Sequence, residues 1–311
     1  MRRCYVTLFF SIMCSITCSS TVRALGYRDR IAARGGEQTK APDRRGMLSV
    51  VTGAAGGAFS GLTGVGGGAV MVPMLTGWLK LSQHRAHGTS LAIITFVAIA
   101  GVAGYWRAGN IDWRLVLALT PGAIAGVYAG ARAMVKVPAL QLRLLFGAFL
   151  LFVAFRQLVW HVSAGAPEDG AAGLLIETGF GFAGGMLAGV LGVGGGAIFV
   201  PAIVIFGLAD VHGGGDPQKV AQGVSLVVIV FTGAMGTVTN LRQKAVDIEI
   251  AKWVIPPAVV AAFAASLAAN AIDAEALKRI YGLTALVLGA QTIFMSVRGL
   301  RTGRPVEIAT I

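Results

Sequence analysis

From Leu48 to the C-terminus the chain alternates apolar runs of membrane-crossing length with short polar loops. A helix needs roughly twenty predominantly apolar residues to cross a hydrocarbon core. The runs at 48–79, 87–106, 113–135, 140–162, 171–208, 220–241, 250–271 and 276–297 fit that requirement. The pattern predicts an all-α membrane protein of two homologous repeats, 47–162 and 171–300, with about four hydrophobic segments each. A polar stretch at 163–170, with Pro167, Glu168 and Asp169, links the repeats, and a basic tail, 301–311, closes the chain.

The first segment of each repeat is broken. Residues 57–73 read GAFSGLTGVGGGAVMVP and residues 185–201 read GMLAGVLGVGGGAIFVP, identical at ten of seventeen positions. Consecutive glycines lose the most backbone entropy on ordering and proline removes a donor, so one continuous helix is not expected there. The helix should stop, unwind and restart. In lipid, unwound backbone survives only where it is buried in protein or lines a cavity, and paired interruptions in two halves point to a transporter's binding site. The restarted half-helices present free amides and a positive dipole end, which favour an anion. Gly64, Gly66, Gly67 and Gly68, with Gly192, Gly194, Gly195 and Gly196, are therefore the first candidates for binding an anion through backbone groups. Gly53, Gly57 and Gly61, Gly181, Gly185 and Gly189, and Gly122, Gly126 and Gly130 have the small-xxx-small spacing of close helix packing and are assigned to that role.

Past the breaks the repeat continues at a shifted offset. Gln83 matches Gln218, Gly88 matches Gly223, Ser90-Leu91 match Ser225-Leu226, Gly101 matches Gly236, Arg107 matches Arg242, Asp112 matches Asp247, Pro121 matches Pro256 and Gly147 matches Gly282. Thr89, Ser90 and Ser225 are expected at the starts of the helices after the breaks, where a hydroxyl caps the helix or donates to a ligand oxygen. His87 and Gln222 occupy equivalent positions one turn earlier and are further binding candidates, against the plainer reading of a loop-facing residue. Arg85 and Lys219 either steer anions or set topology, and Arg107 and Arg242 with Asp112 and Asp247 are expected to pair or to snorkel near helix ends. Glu177, near a helix start, is the one weak candidate for proton coupling.

Topology depends on the broken segments. If they cross fully, the halves are parallel; if they dip in and return, the halves are inverted. Placing the arginines of 27–45 inside puts Arg85, Arg132, Lys136, Arg143, Arg242, Lys244 and the C-terminal arginines inside too, which favours the re-entrant, inverted form. Residues 1–46 complicate this. A basic start, an apolar run and a small-residue end at Val22-Arg23-Ala24 have the form of a secretory signal, followed by a polar, disordered or targeting extension. Cleavage of a signal there places the new N-terminus outside. A start near Met47 is the alternative.

Composition narrows the class. The chain is 55% hydrophobic and 13% charged, with a mean hydropathy of +0.74, and this excludes a soluble globular domain. A net charge of +12 lies in the termini and loops without an aromatic-interleaved basic face, so lipid headgroups rather than nucleic acid account for it. All three cysteines (Cys4, Cys14, Cys18) precede the membrane body, leaving no cysteine metal site or disulfide framework there. Gly64, Gly66 and Ala69 fit a dinucleotide fingerprint by spacing but lack the strand-turn-helix context it requires. No cofactor or metal is expected. Gly57-Ala58-Phe59-Ser60-Gly61 has the G-x-x-S-G form of an intramembrane serine protease, without a histidine inside a later helix to activate the serine.

The doubled GxxGxGGG-xxxxP stretch, each copy followed by G-x-S-L (Gly88-Thr89-Ser90-Leu91 and Gly223-Val224-Ser225-Leu226), resembles the TauE/SafE family, also called TSUP, over about residues 47–300. The resemblance implies movement of sulfite, thiosulfate, sulfonates or related small organic anions. The expectation is a secondary transporter, not an enzyme, that binds a small anion between the two breaks; a passive anion channel would use the same half-helix ends. Lipid is the other expected partner, and oligomeric state is left open.

Overall fold

The structure, a computed structural model, describes residues 42–133, 139–159, 170–191, 194–208 and 216–301. Residues 1–41, most of the inter-repeat linker, Gly192 and the tail from 302 fall outside the described residues.

Ten α-helices and no strand are present among the described residues: α1 (Pro42–Thr63), α2 (Gly68–Gly77), α3 (Gln83–Arg107), α4 (Trp113–Ala133), α5 (Ala139–Val159), α6 (Ala171–Leu191), α7 (Gly196–Ile205), α8 (Pro217–Arg242), α9 (Ile248–Ala271) and α10 (Ala274–Arg301). Stretches His84–Arg107, Ala172–Gly189, Pro217–Arg242 and Ile248–Ala271 are long and apolar enough to cross a membrane, while α2 and α7 are shorter apolar helices. The protein is an all-α membrane protein.

Helix starts follow local chemistry. Asp216 accepts a hydrogen bond from Gln218 N at 2.8 Å, and Pro217 occupies the first turn of α8, where a missing N–H costs nothing. Asp112 accepts from Leu115 N at 3.1 Å and Asp247 from Ile250 N at 3.2 Å, capping the matched helices α4 and α9. The helix bounds correct one expectation. α3 and α8 begin at Gln83 and Pro217, so Thr89, Ser90 and Ser225 lie inside helices rather than at their starts. Asp247 also pairs with Arg85 at 3.3 Å, not with the Arg242 of its own repeat.

The centre of the molecule is the pair α3 and α8, which are side by side and antiparallel. Near one end Gly88 approaches Ala245, and near the other Gly223 approaches Asn110; between them Gly101 meets Leu226 and Gly236 meets Leu91. Residues Ala221 to Val230 of α8 and Ile93, Ile94, Val97 and Ala98 of α3 are buried. Around this pair, α1 lies on α9 through Gly53, Gly57 and Gly61 against Val254, Ala258 and Ala262. Likewise α6 lies on α4, with Gly181 and Gly185 against Leu119 and Ala123, and Gly122, Gly126 and Gly130 against Thr178, Phe182 and Met186. At each glycine an added Cβ would strike backbone of the facing helix. Lipid tails give helices no hydrophobic reason to associate, so backbone approach of this kind supplies the packing instead. Each repeat's first helix thus packs on the third long helix of the other repeat.

Candidate functional site

Both helices break in the same way. Gly66 and Gly67 take φ of 93° and 73°, and their counterparts Gly194 and Gly195 take 90° and 79°. A Cβ is disfavoured at such angles, by about 1–2 kcal/mol, which is why the sequence places glycine there. Gly67 and Gly195 are the N-caps of α2 and α7, and no side chain caps either helix. Gly67 O receives Val70 N and Met71 N, and Gly195 O receives Ile198 N and Phe199 N. The chain doubles back at each break. Gly67 stands beside Gly56 and Ser60 of α1, with Met71 packed over Gly56, and Phe199 packs over Gly184 of α6.

The two breaks meet. A Cβ on Gly196 would lie 2.5 Å from Gly64 O and 2.8 Å from Val65 C. Ile94 and Ile229, equivalent residues at the middle of α3 and α8, both flank Gly66 and Gly194. The unwound backbone therefore sits at mid-length of the two central helices.

Carbonyls freed at the end of α1 are taken up by α3 and α8. Ser225 Oγ donates to Gly64 O at 2.9 Å. Tyr105 Oη lies 3.1 Å from Gly61 O and 2.7 Å from Gln222 Oε1. A phenol has one proton for those two acceptors. Turning the Gln222 amide resolves this, giving a chain from Gln222 Nε2 to Tyr105 Oη to Gly61 O; amide orientation is assigned from such networks.

The candidate residues divide accordingly. Gly64, Gly66, Gly67 and Gly68 with Gly194, Gly195 and Gly196 form the crossing, and Gln222 packs against Gly64. Ser225 is committed to the unwound carbonyl of Gly64, whereas Ser90, its equivalent, is buried and its Oγ has no hydrogen-bond partner. Thr89 is directed elsewhere: its Oγ1 accepts from Asp247 N at 2.8 Å and ties α3 to the loop before α9. His87 is half-buried on α3, within a turn of Ser90. Lys219 Nζ donates to Asn270 O at 3.0 Å, so it and the Arg85 paired with Asp247 serve the helix ends. Glu177 is buried and pairs with Arg114 at 3.0 Å, bridging α6 to α4.

Two residues escaped the sequence reading as site members. Tyr105 lies in an apolar run before Trp106-Arg107, where a tyrosine reads as interfacial, and its partners are on distant segments. Ser60 drew notice only as a protease nucleophile. It is fully buried, and its Oγ has no hydrogen-bond partner. The signal that marks it is Ala188 at the matched position of the second repeat.

An all-α chain with four candidate spans, and two glycine-broken helices meeting beside the central pair, has the make-up of a polytopic membrane transporter. The family model described as sulfite exporter TauE/SafE matches residues 3–156 and 178–310, and the chain belongs to that family. The match begins at residue 3, further toward the N-terminus than the motifs themselves reach. Among curated relatives, the probable membrane transporter YunE of Bacillus subtilis is 22% identical over 81% of this chain and 98% of its own length. YdhB of the same organism is 24% identical over 76% and 96%, and a probable membrane transporter of Xylella fastidiosa is 24% identical over 80% and 95%. No solved structure matches. The family and these relatives are membrane transporters rather than enzymes.

Proposed function

We propose that this protein is a secondary transporter of a small anion, with sulfite, thiosulfate and sulfonates as the first candidates, and that it binds the anion at the crossing of the two breaks. The observation that carries the reading is the meeting of two uncapped half-helix N-termini, α2 and α7, beside the midpoints of α3 and α8. Backbone amides there suit an oxyanion, and the buried hydroxyls of Ser60 and Ser90 each lack a hydrogen-bond partner. The antiparallel course of the equivalent helices α3 and α8 supports inverted repeats with re-entrant α1–α2 and α6–α7 hairpins, in which alternating access follows from one repeat rocking against the other. Direct contact between the breaks favours a carrier over an open channel, since a pore needs a continuous path. The substrate class follows the family description and the resemblance of the doubled motif. The membrane is the plasma membrane or that of an organelle reached through the secretory pathway.

Uptake of radiolabelled sulfite, thiosulfate and taurine-derived sulfonates into proteoliposomes tests the reading. Saturable flux of one of them is expected. Flux that rises linearly with concentration, accompanied by single-channel currents, would replace the carrier with a channel.

A further inference from the structure

The two breaks match in backbone conformation but not in what surrounds them. Beside the N-cap Gly67 stands Ser60, with its Cβ 3.4 Å from where a Gly67 Cβ would be. Beside the N-cap Gly195 stands Ala188, together with the ring of Phe199, which a Gly195 Cβ would meet at 2.7 Å. A hydroxyl adjoins one half-helix end; a methyl and a phenyl ring cover the other.

That hydroxyl, like that of Ser90, departs from the pattern of the helical threonines. Thr52, Thr63, Thr95, Thr120 and Thr237 each donate to the carbonyl four residues back. Within a helix this is the ordinary way for a hydroxyl to be satisfied. Ser60 does not do so: its Oγ is buried without any partner. An unpartnered buried hydroxyl is costly, and one beside an uncapped helix N-terminus becomes satisfied when an anion arrives.

Packing differs in the same direction. Residues Gly196 to Val204 of α7 are all buried. In α2, by contrast, Ala69, Val70 and Met74 are half-buried and border a groove of about 470 Å³ against Leu283, Val287 and Gln291 of α10.

We propose that the site at the crossing is asymmetric: the α2 amides and Ser60 Oγ hold the anion, while the second break supplies packing rather than contacts to it. The inference rests on the transport reading for its biological meaning and on geometry for its site. The ligand is a compact oxyanion. Its oxygens accept from Gly68 N, Ala69 N and the Ser60 hydroxyl.

The test uses the full-length protein purified in detergent, with sulfite, thiosulfate and ethanesulfonate as probes in equilibrium binding and thermal-shift measurements. A hydrogen bond to a charged group is worth about 1.5–3 kcal/mol. Ser60→Ala is therefore expected to weaken binding by about 10- to 100-fold, while the unliganded Tm stays level or rises because a buried unpaired group has been removed. Ser60→Thr, which keeps the hydroxyl, should bind within a few-fold of wild type, and Ala188→Ser should change nothing. Unchanged affinity in Ser60→Ala, loss of affinity in Ser90→Ala only, or no binding of any probe by wild type would each overturn the proposal. The two readings fail separately. Ser60-dependent binding without flux in proteoliposomes would sink the transport reading and spare the site, whereas flux with an unaltered KM in Ser60→Ala would do the reverse.

Discussion

Ser90 and Ser225 occupy equivalent positions in equivalent helices, yet only Ser225 holds an unwound carbonyl. Replacing each by alanine gives an internally controlled perturbation. In Ser225→Ala the carbonyl of Gly64 loses its donor in a fully buried setting. Leaving a buried acceptor unsatisfied costs about 1–3 kcal/mol, but measured side-chain hydrogen bonds between membrane helices average only about 0.6 kcal/mol, with a maximum near 1.7. The low average arises because the unfolded chain in the membrane also finds partners for such groups. Gly64 lies past the end of α1, so the upper part of the range applies: about 1–2 kcal/mol, or roughly 1.5–3 °C in Tm for a chain of this size. In Ser90→Ala no bond is lost and the Tm should move by less than about 1 °C. The assay is thermal unfolding of the two variants in one detergent at one scan rate. Equal shifts would refute the claim that α8 secures the first break.

Other consequences concern the crossing, the periphery and topology. Gly196 has ordinary backbone angles, but a Cβ there would strike Gly64 O, whereas Gly194 has φ 90° and only ordinary contacts around it. Gly196→Ala should therefore abolish uptake by forcing the breaks apart, while Gly194→Ala costs about 1–2 kcal/mol of strain and keeps measurable uptake; equal loss in reconstituted protein would contradict this. Arg114→Ala leaves Glu177 buried and uncompensated. Because Arg114 is 42% exposed, the loss should be about 1–3 kcal/mol, below the 3–5 of a fully buried pair, and Glu177→Gln should lower Tm less than Arg114→Ala does. Ala108 and Gln243 follow the equivalent helices α3 and α8 and are exposed. Cysteines placed at these two positions should react with an impermeant thiol reagent from opposite faces of the membrane, and labelling from one face would rule out inverted repeats.

Much of this architecture is legible in the chain because backbone requirements leave their mark on residue type. Positive φ at Gly66, Gly67, Gly194 and Gly195 demands glycine, so both breaks and their equivalence are visible as a doubled string. Small-xxx-small spacing reveals which helix faces are close-packed. It does not reveal the partner: that Gly57 meets Ala258 and Gly185 meets Ala123, each in the other repeat, depends on how the halves interlock. Hydroxyls are ambiguous for a similar reason. Thr89, Ser90 and Ser225 read alike in sequence but hold a loop, nothing and an unwound carbonyl respectively, because their helices begin upstream, at Gln83 and Pro217, and place them against different neighbours. Ser60 shows the opposite case. Its departure from the repeat, against Ala188, is plain in the sequence, but its meaning depends on the fold-back that brings it to Gly67.

The central claim is that an anion bound at these breaks is carried across the membrane by alternating access. Counterflow tests it most directly: proteoliposomes loaded with unlabelled sulfite are diluted into a trace of labelled sulfite, and accumulation is followed without any imposed gradient of other ions. Transient accumulation of label above its equilibrium level, weakened in Ser60→Ala at limiting substrate, is the predicted result. Equilibration without overshoot, at a rate indifferent to the internal load, would contradict it.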